Sequence, residues 1–447
     1  MPRKHHAQDG IGRKAMTPSL RRRRPWAAFG ALVVLGWGCE QDSSTGSGPG
    51  AVTVRDSAGV VIVEHGPLVV EDSTSWFADV DREVVIGREE GDPDELFGRV
   101  AGFARLEDGR IIVGDGIGPH LRVFAPDGTF SETVGRAGSG PGEFINLSGV
   151  RAFRGDSVVV VDFEGGRWSV LGPDGRFARH QFPTVRGWDR PGSSPILLGF
   201  FGDGTALLGL TRPWERSEIG VDAGNPVRLE TLDADFVRAD AEGEILARFG
   251  VHNLDRSVRL TVDGRNLIWD GLRGPGIRAV RGEHAWFADP DNGEIRVYRH
   301  DGTLERIVRV TLPEARPSPA ATIQARRGAS ARGSDDETMR AFEQLISATP
   351  LPDKLPAFGG LAVDPSGYLW LRPYPADHGG EVGGVRWYVF DPDGVFVRAL
   401  RLPPVFHATG RFVSTPPPLV LGYDWILARH VGALGVETLR LVPVRKD

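Results

Sequence analysis

Along most of the chain, short runs of alternating apolar and polar residues are cut by turns built on Asp and Gly. The clearest stretch reads Asp108-Gly109-Arg110, then Ile111-Ile112-Val113 and Asp115, then Leu121-Arg122-Val123-Phe124, the turn Pro126-Asp127-Gly128, and Phe130 to Val134. A second copy reads Gly155-Asp156-Ser157, Val158 to Val161 with Asp162, Trp168-Ser169-Val170-Leu171, Pro173-Asp174-Gly175, and Phe177 onward. Side chains of a strand alternate between its two faces, so alternation between tight turns predicts antiparallel strands joined by hairpins.

Further copies begin at Asp203, Gly282, Ser366 and Asp424, so successive starts from Asp108 are spaced 47, 48, 79, 84 and 58 residues. The short spacings hold one four-stranded unit, and the long ones hold that unit plus an insertion. A period of this length with four strands per unit predicts an all-β chain, a six-bladed β-propeller of antiparallel blades. Asp263-Gly264-Arg265 lies only 19 residues before Gly282, and therefore reads as an inserted hairpin rather than a seventh blade. The last unit, from Asp424, lacks a fourth strand. The segment Arg82 to Gly87 supplies one, since Gly87 and Gly135 are 48 residues apart, one period. An N-terminal strand is thus expected to close the last blade and shield its edge.

Insertions are expected near 211–228, 250–278 and 312–357. In the last of these, Ser334 and Glu337 fit a capping box, and Met339, Phe342, Leu345 and Ile346 share one helical face, so one short inserted helix is expected on a face of the propeller. An irregular stretch in the fifth unit, Arg372-Pro373-Tyr374-Pro375-Ala376-Asp377-His378, reads as a loop that gathers a cation, an aromatic ring, a carboxylate and an imidazole. Arg372, Tyr374, Asp377 and His378 are the binding candidates. Trp188, Trp214 and Trp269 lie in or near the irregular stretches and read either as core-edge covers or as an aromatic binding surface. Asp115, Asp162 and Asp289 recur at one place in the unit, where they read as caps of each unit's own turn or as a ring of oxygen ligands for Ca²⁺.

Composition changes the picture mainly at the N-terminus. The 447 residues include 60 Gly and 33 Pro, in keeping with many turns, and a single Cys, which excludes a disulfide framework and a Cys-based zinc cluster. That residue, Cys39, follows Arg21-Arg22-Arg23-Arg24 and the apolar run Pro25 to Gly38. The order is that of an export signal, and the run is too short for a membrane span, which takes roughly 20 residues. Met16 begins a compact signal, so residues 1–15 are expected to be superfluous. Removing residues 1–38 leaves 45 basic and 58 acidic residues, a formal charge of −13. The basic start serves export, and nothing in the acidic body predicts nucleic acid as a partner. The expected organisation is a signal at 1–38, a polar tether at 39–51 and the propeller from 52 to 447.

Two resemblances follow from these residues. Leu35-Gly36-Trp37-Gly38-Cys39 is similar to a bacterial lipoprotein signal, which implies lipidation of Cys39 and a membrane-anchored, extracytoplasmic location in the cell envelope. Arg136-Ala137-Gly138-Ser139-Gly140-Pro141-Gly142-Glu143-Phe144, followed by the strand at Val160-Val161-Asp162, resembles an NHL-type repeat. The body as a whole is similar to bacterial six-bladed propeller lipoproteins of that group, which include binding scaffolds, lyases and lactonases. The implied function is a scaffold for an unknown protein, peptide or glycan. The alternative is a lyase- or lactonase-type enzyme with a metal in the central channel. There is no H-E-x-x-H, no G-x-S-x-G elbow and no P-loop. No catalytic residue, metal ligand or cofactor is therefore assigned.

Overall fold

A computed structural model describes residues 43–44, 50–70, 76–162, 164–181, 185–188, 195–212, 215–222, 225–262, 265–269, 272, 276–312, 318–323, 336–374, 385–402, 419–432 and 435–445. The export signal and Cys39 lie outside these residues.

Six antiparallel sheets form a six-bladed propeller. The first blade is Val100–Arg105, Ile111–Asp115, His120–Phe124 and Phe130–Val134, and the second is Leu147–Phe153, Ser157–Asp162, Arg167–Leu171 and Phe177–Gln181. The third runs Ile196–Phe200, Ala206–Thr211, Asn225–Ala239 and Ile245–Val262; the fourth runs Ile277–Arg281, His284–Asp289, Glu294–Arg299 and Leu304–Arg309. The fifth is Phe358–Val363, Leu369–Pro373, Val385–Phe390 and Phe396–Leu402, and the sixth begins Leu419–Leu421, Trp425–Val431 and Glu437–Arg445. First strands touch between the first and second, third and fourth, fourth and fifth, and fifth and sixth blades, which places them innermost around the axis.

The second strand of each blade is covered on both faces by its neighbours, which is why Val158, Val159 and Val160 can follow one another and all be buried. The core is accordingly divided into interface clusters. Ile112 and Val123 of the first blade meet Val150 and Val160 of the second, and Trp168 of the second meets Leu197 and Leu208 of the third. Phe236 packs on Phe287 between the third and fourth blades, while Phe358 and Tyr388 meet Ile295 and Val297 between the fourth and fifth. Trp370 and Trp387 meet Ile426 and Val442, and Leu427 and Leu439 meet Val113 and Phe124, which completes the ring. Each such side chain, fully buried, contributes roughly 1.5–3 kcal/mol.

Closure is made by the N-terminal strand, as its spacing predicts. Ile86, Val85 and Val84 pair with Leu439, Arg440 and Leu441. Gly87 and Gly135, one period apart, have φ of 83° and 80°. A side chain on either would collide with the ring of Phe97 or Phe144, respectively. Upstream, the hairpin Val52–Ser57 and Val60–His65 adds a parallel edge to the outer strand of the fourth blade, with Ile62 opposite Ile307. From there Leu68 joins the core between the fourth and fifth blades, and Trp76 joins the core between the fifth and sixth.

The third blade departs from the pattern. Its third and fourth strands run on past the blade, and the extension gains Glu215–Asp222 on one side and Arg265–Trp269 on the other. The strands of both insertions therefore belong to a single projecting sheet, in which Val262 pairs with Arg265, while Ile277 and Arg278 already form part of the fourth blade. The helix expected in the insertion spans Asp336–Ala348. It packs on the projecting sheet rather than on the propeller face. Leu345 and Ile346 are buried with Val258, Ile323 and Leu355. Ser334 of the expected capping box lies outside the described residues.

Candidate functional site

In an antiparallel meander the second and fourth strands run the same way, so connections leaving them emerge at one face. On the opposite face each blade turns within five residues, for example 106–110, 125–129, 201–205 and 391–395. Every long departure leaves from the first face: the projecting sheet of the third blade, the segment 310–357, and the chain between Pro373 and Val385 and between Leu402 and Leu419. One face thus carries the long insertions between strands, over the third to fifth blades; the other has short turns, one of which, at Gly394, is bonded by His65 of the N-terminal hairpin.

The elaborated side is tied down by polar contacts. Asn253 of the projecting sheet accepts from the Gly276 amide at 3.1 Å. Arg278 of the fourth blade donates to the carbonyls of Asn253 and Leu254 at 3.3 and 3.2 Å. Burial lowers the Arg278 pKa to about 10. Arg256 pairs with Asp291, again linking the sheet to the fourth blade.

The recurring aspartates are occupied. Asp115 accepts from the amides of Gly98, Arg99 and Ile117 at 2.9, 3.2 and 3.0 Å and pairs with Arg122 at 3.1 Å. Asp162 accepts from Ile145, Asn146 and Gly165 at 3.1, 2.9 and 3.2 Å and pairs with Arg167 at 3.3 Å. Arg167 in turn donates to the carbonyls of Ser139 and Glu143 at 2.5 and 2.8 Å. Each buried pair therefore staples the incoming inter-blade connection to its own blade. Asp289 holds only its own turn, accepting from the Asp291 amide at 3.1 Å and from Asn292 at 2.8 Å. Among the described residues no three His, Cys, Asp or Glu side chains are grouped as a metal centre would need.

The fifth-blade candidates divide. Arg372 and Pro373 sit in the strand Leu369–Pro373, not in a loop, because the buried run Leu369-Trp370-Leu371 continues through them. Arg372 is 7% exposed and donates to the Gly359 carbonyl at 3.3 Å. Tyr374 packs against the core beneath the helix. Asp377 and His378 lie outside the described residues. Trp214 is also outside them.

Trp188 stands at a cavity. About 400 Å³ of space lies under the connection into the third blade, lined by Gly187, Trp188, Leu210, Arg212, Asp235, Ile245 and Arg248. The connection is pinned by Arg186, whose amide donates to the Gly243 carbonyl at 2.8 Å and whose side chain pairs with Glu244. Arg248 pairs with Asp235 at 2.8 Å. The lining residues come from three strands and a linker, so no local spacing announces them; Trp188 in an irregular stretch is the one signal.

Two further groups on or beside the ring carry strained electrostatics. Arg151, on the innermost strand of the second blade, has its pKa lowered to about 10 by burial, and among the described residues its Nε has no hydrogen-bond partner. His65 donates through Nε2 to the Gly394 carbonyl at 2.9 Å, and burial holds its pKa below the ordinary 6.5.

The pairing pattern defines the protein as a six-bladed β-propeller, and residues 95–167 match a family model described as a 6-bladed beta-propeller. No curated protein matches the sequence. Similar solved structures include a candidate exported protein from Bacteroides fragilis, 15% identical, with 86% of this chain and 99% of that one covered and a TM-score of 0.46. Virginiamycin B lyase from Staphylococcus aureus is 9% identical, over 83% of this chain and 99% of that one, with a TM-score of 0.39.

Proposed function

We propose that the protein is an exported, membrane-tethered propeller that captures a ligand on its elaborated face and performs no chemistry there. One observation carries the reading. The long insertions between strands of the blades leave one face, yet Asp115 and Asp162 at that face are consumed as staples and Asp289 holds its own turn. A face built up in this way offers contact surface, whereas oxygen ligands already holding backbone amides and arginines are not available to a metal. Export and tethering rest on the basic block, the apolar run and Cys39. The ligand class is a protein, peptide or glycan of the cell envelope.

Two experiments test the two halves. Cys39→Ser should shift the protein from the membrane to the soluble fraction or leave an uncleaved precursor; unchanged fractionation refutes the anchor. For the face, a photo-crosslinking residue at Val251 or Leu351, exposed by 44% and 39% in the third blade's long fourth strand and in the segment 310–357, should trap a partner in intact cells. The same group at Asp127 or Asp393, on the minimal side, should not. Equal trapping from both faces, or none from the elaborated one, overturns the reading.

A further inference from the structure

The cavity beneath Trp188 differs in kind from the elaborated face. It is concave, has a volume in the range of small-ligand sites and combines apolar walls with a few convergent polar groups. Trp188, Leu210 and Ile245 supply the apolar surface. Arg212, Arg248 and Asp235 supply the charge, two cations against one anion.

The two arginines are not equivalent. Arg248 is neutralised by Asp235 at 2.8 Å. Arg212 is exposed, and among the described residues its guanidinium has no partner; only its backbone amide is bonded, donating to the Asp233 carbonyl at 2.9 Å. An exposed guanidinium needs no partner to be stable in water, so its fork of donors stays available. Such a fork matches the two oxygens of a carboxylate, and the neighbouring tryptophan face suits a flat apolar body.

We propose that this cavity is a binding site for a small organic carboxylate with a planar apolar body, oriented by Arg212 and lodged against Trp188. Asp235 is the opposing element. It ties up Arg248 and repels a second negative charge, so the site selects monoanions over dianions.

Calorimetric titration of the full chain with 2-naphthoate and with its neutral amide, 2-naphthamide, tests this. The expected result is saturable one-to-one binding of the carboxylate in preference to the amide. Arg212→Gln should weaken the carboxylate about tenfold, as loss of a charge-assisted hydrogen bond does, and should leave the amide unchanged. Trp188→Leu should weaken both. Asp235→Asn should tighten carboxylate binding several-fold by releasing Arg248, an effect in the direction opposite to damage. Circular dichroism of each variant confirms the fold. Absence of carboxylate binding, equal binding of the amide, indifference to Arg212→Gln, or weakening by Asp235→Asn each overturns the proposal. The result is read independently of the face crosslinks, so either proposal fails without the other.

Discussion

Asp162→Asn removes one negative charge and almost no volume, and the structure sets its consequence. Asp162 is 0% exposed. One carboxylate oxygen accepts from the Asn146 and Gly165 amides, the other from the Ile145 amide and Arg167 Nε. An asparagine keeps one acceptor oxygen and turns an NH₂ toward the other pair of donors. Two donors lose their acceptor, and Arg167, 8% exposed, loses its counter-charge. An orphaned buried donor costs about 1–3 kcal/mol, and breaking a buried pair about 3–5 kcal/mol. The variant should therefore lose about 3–5 kcal/mol. Arg167→Met should be similarly costly, and the double variant should cost well under the sum, because it removes both charges together. Urea unfolding followed by far-ultraviolet circular dichroism and by the fluorescence of buried Trp168 measures all three. A loss below about 1 kcal/mol for Asp162→Asn, or strict additivity in the double variant, refutes the staple.

Other outcomes follow from the same structure. Arg151→Met should stabilise the protein by about 1–2 kcal/mol, since the desolvation that lowers its pKa to about 10 disappears, discounted for its residual solvent contact. The guanidinium is charged at all pH below about 10, so the gain should be equal at mildly acidic and mildly basic pH; urea midpoints at both check it. His65 and His252 have folded pKa values held below the ordinary 6.5, chiefly by burial. The unfolded chain then takes up protons first as the pH falls, so their contribution is intact above 6.5 and is lost on acidification from there down through the folded values. Replacing His65 by Gln should flatten part of that slope in pH-dependent melts, and an unchanged slope would contradict the assignment. Gly87→Ala and Gly135→Ala should each cost about 1–3 kcal/mol, because positive φ and ring collision act together. Clearly unequal losses would break the equivalence of the two positions.

Those two glycines show why so much of the architecture was legible. Gly87 and Gly135 obey one backbone rule in two copies of one unit, and a constraint that repeats at a fixed interval leaves a mark in one sequence. The closing strand at Val84–Ile86 followed from the same interval. The projecting sheet was legible only as two separate interruptions, because its strands pair across tens of residues, Val227 with Leu260 and Val258 with Trp269, and local alternation says nothing of partners. Arg372 misled for a related reason. The prolines at 373 and 375 suggested a loop, but the strand continues to Pro373, and the arginine is held by a carbonyl inside the blade. The cavity's charged groups, Arg212 just past the end of one strand and Asp235 and Arg248 on two others, are far apart in sequence, so only the fold makes them neighbours.

The hairpin on the fourth blade alters how the ring would bear load. A pull on the chain ahead of residue 43 first meets the pairing of Ser43–Ser44 with Thr53 and Val54, and then the parallel seam of residues 61–64 against 306–309. His65, Leu68 and Trp76 follow in turn along the fourth to sixth blades. Only after these contacts have peeled away does tension reach Val84–Ile86, the strand that holds the circle shut. Were the chain held by its N-terminus, as proposed above, the segment would act as strain relief, in the manner of the knot behind a plug: the rim would yield while the joint that keeps six blades together stays unloaded.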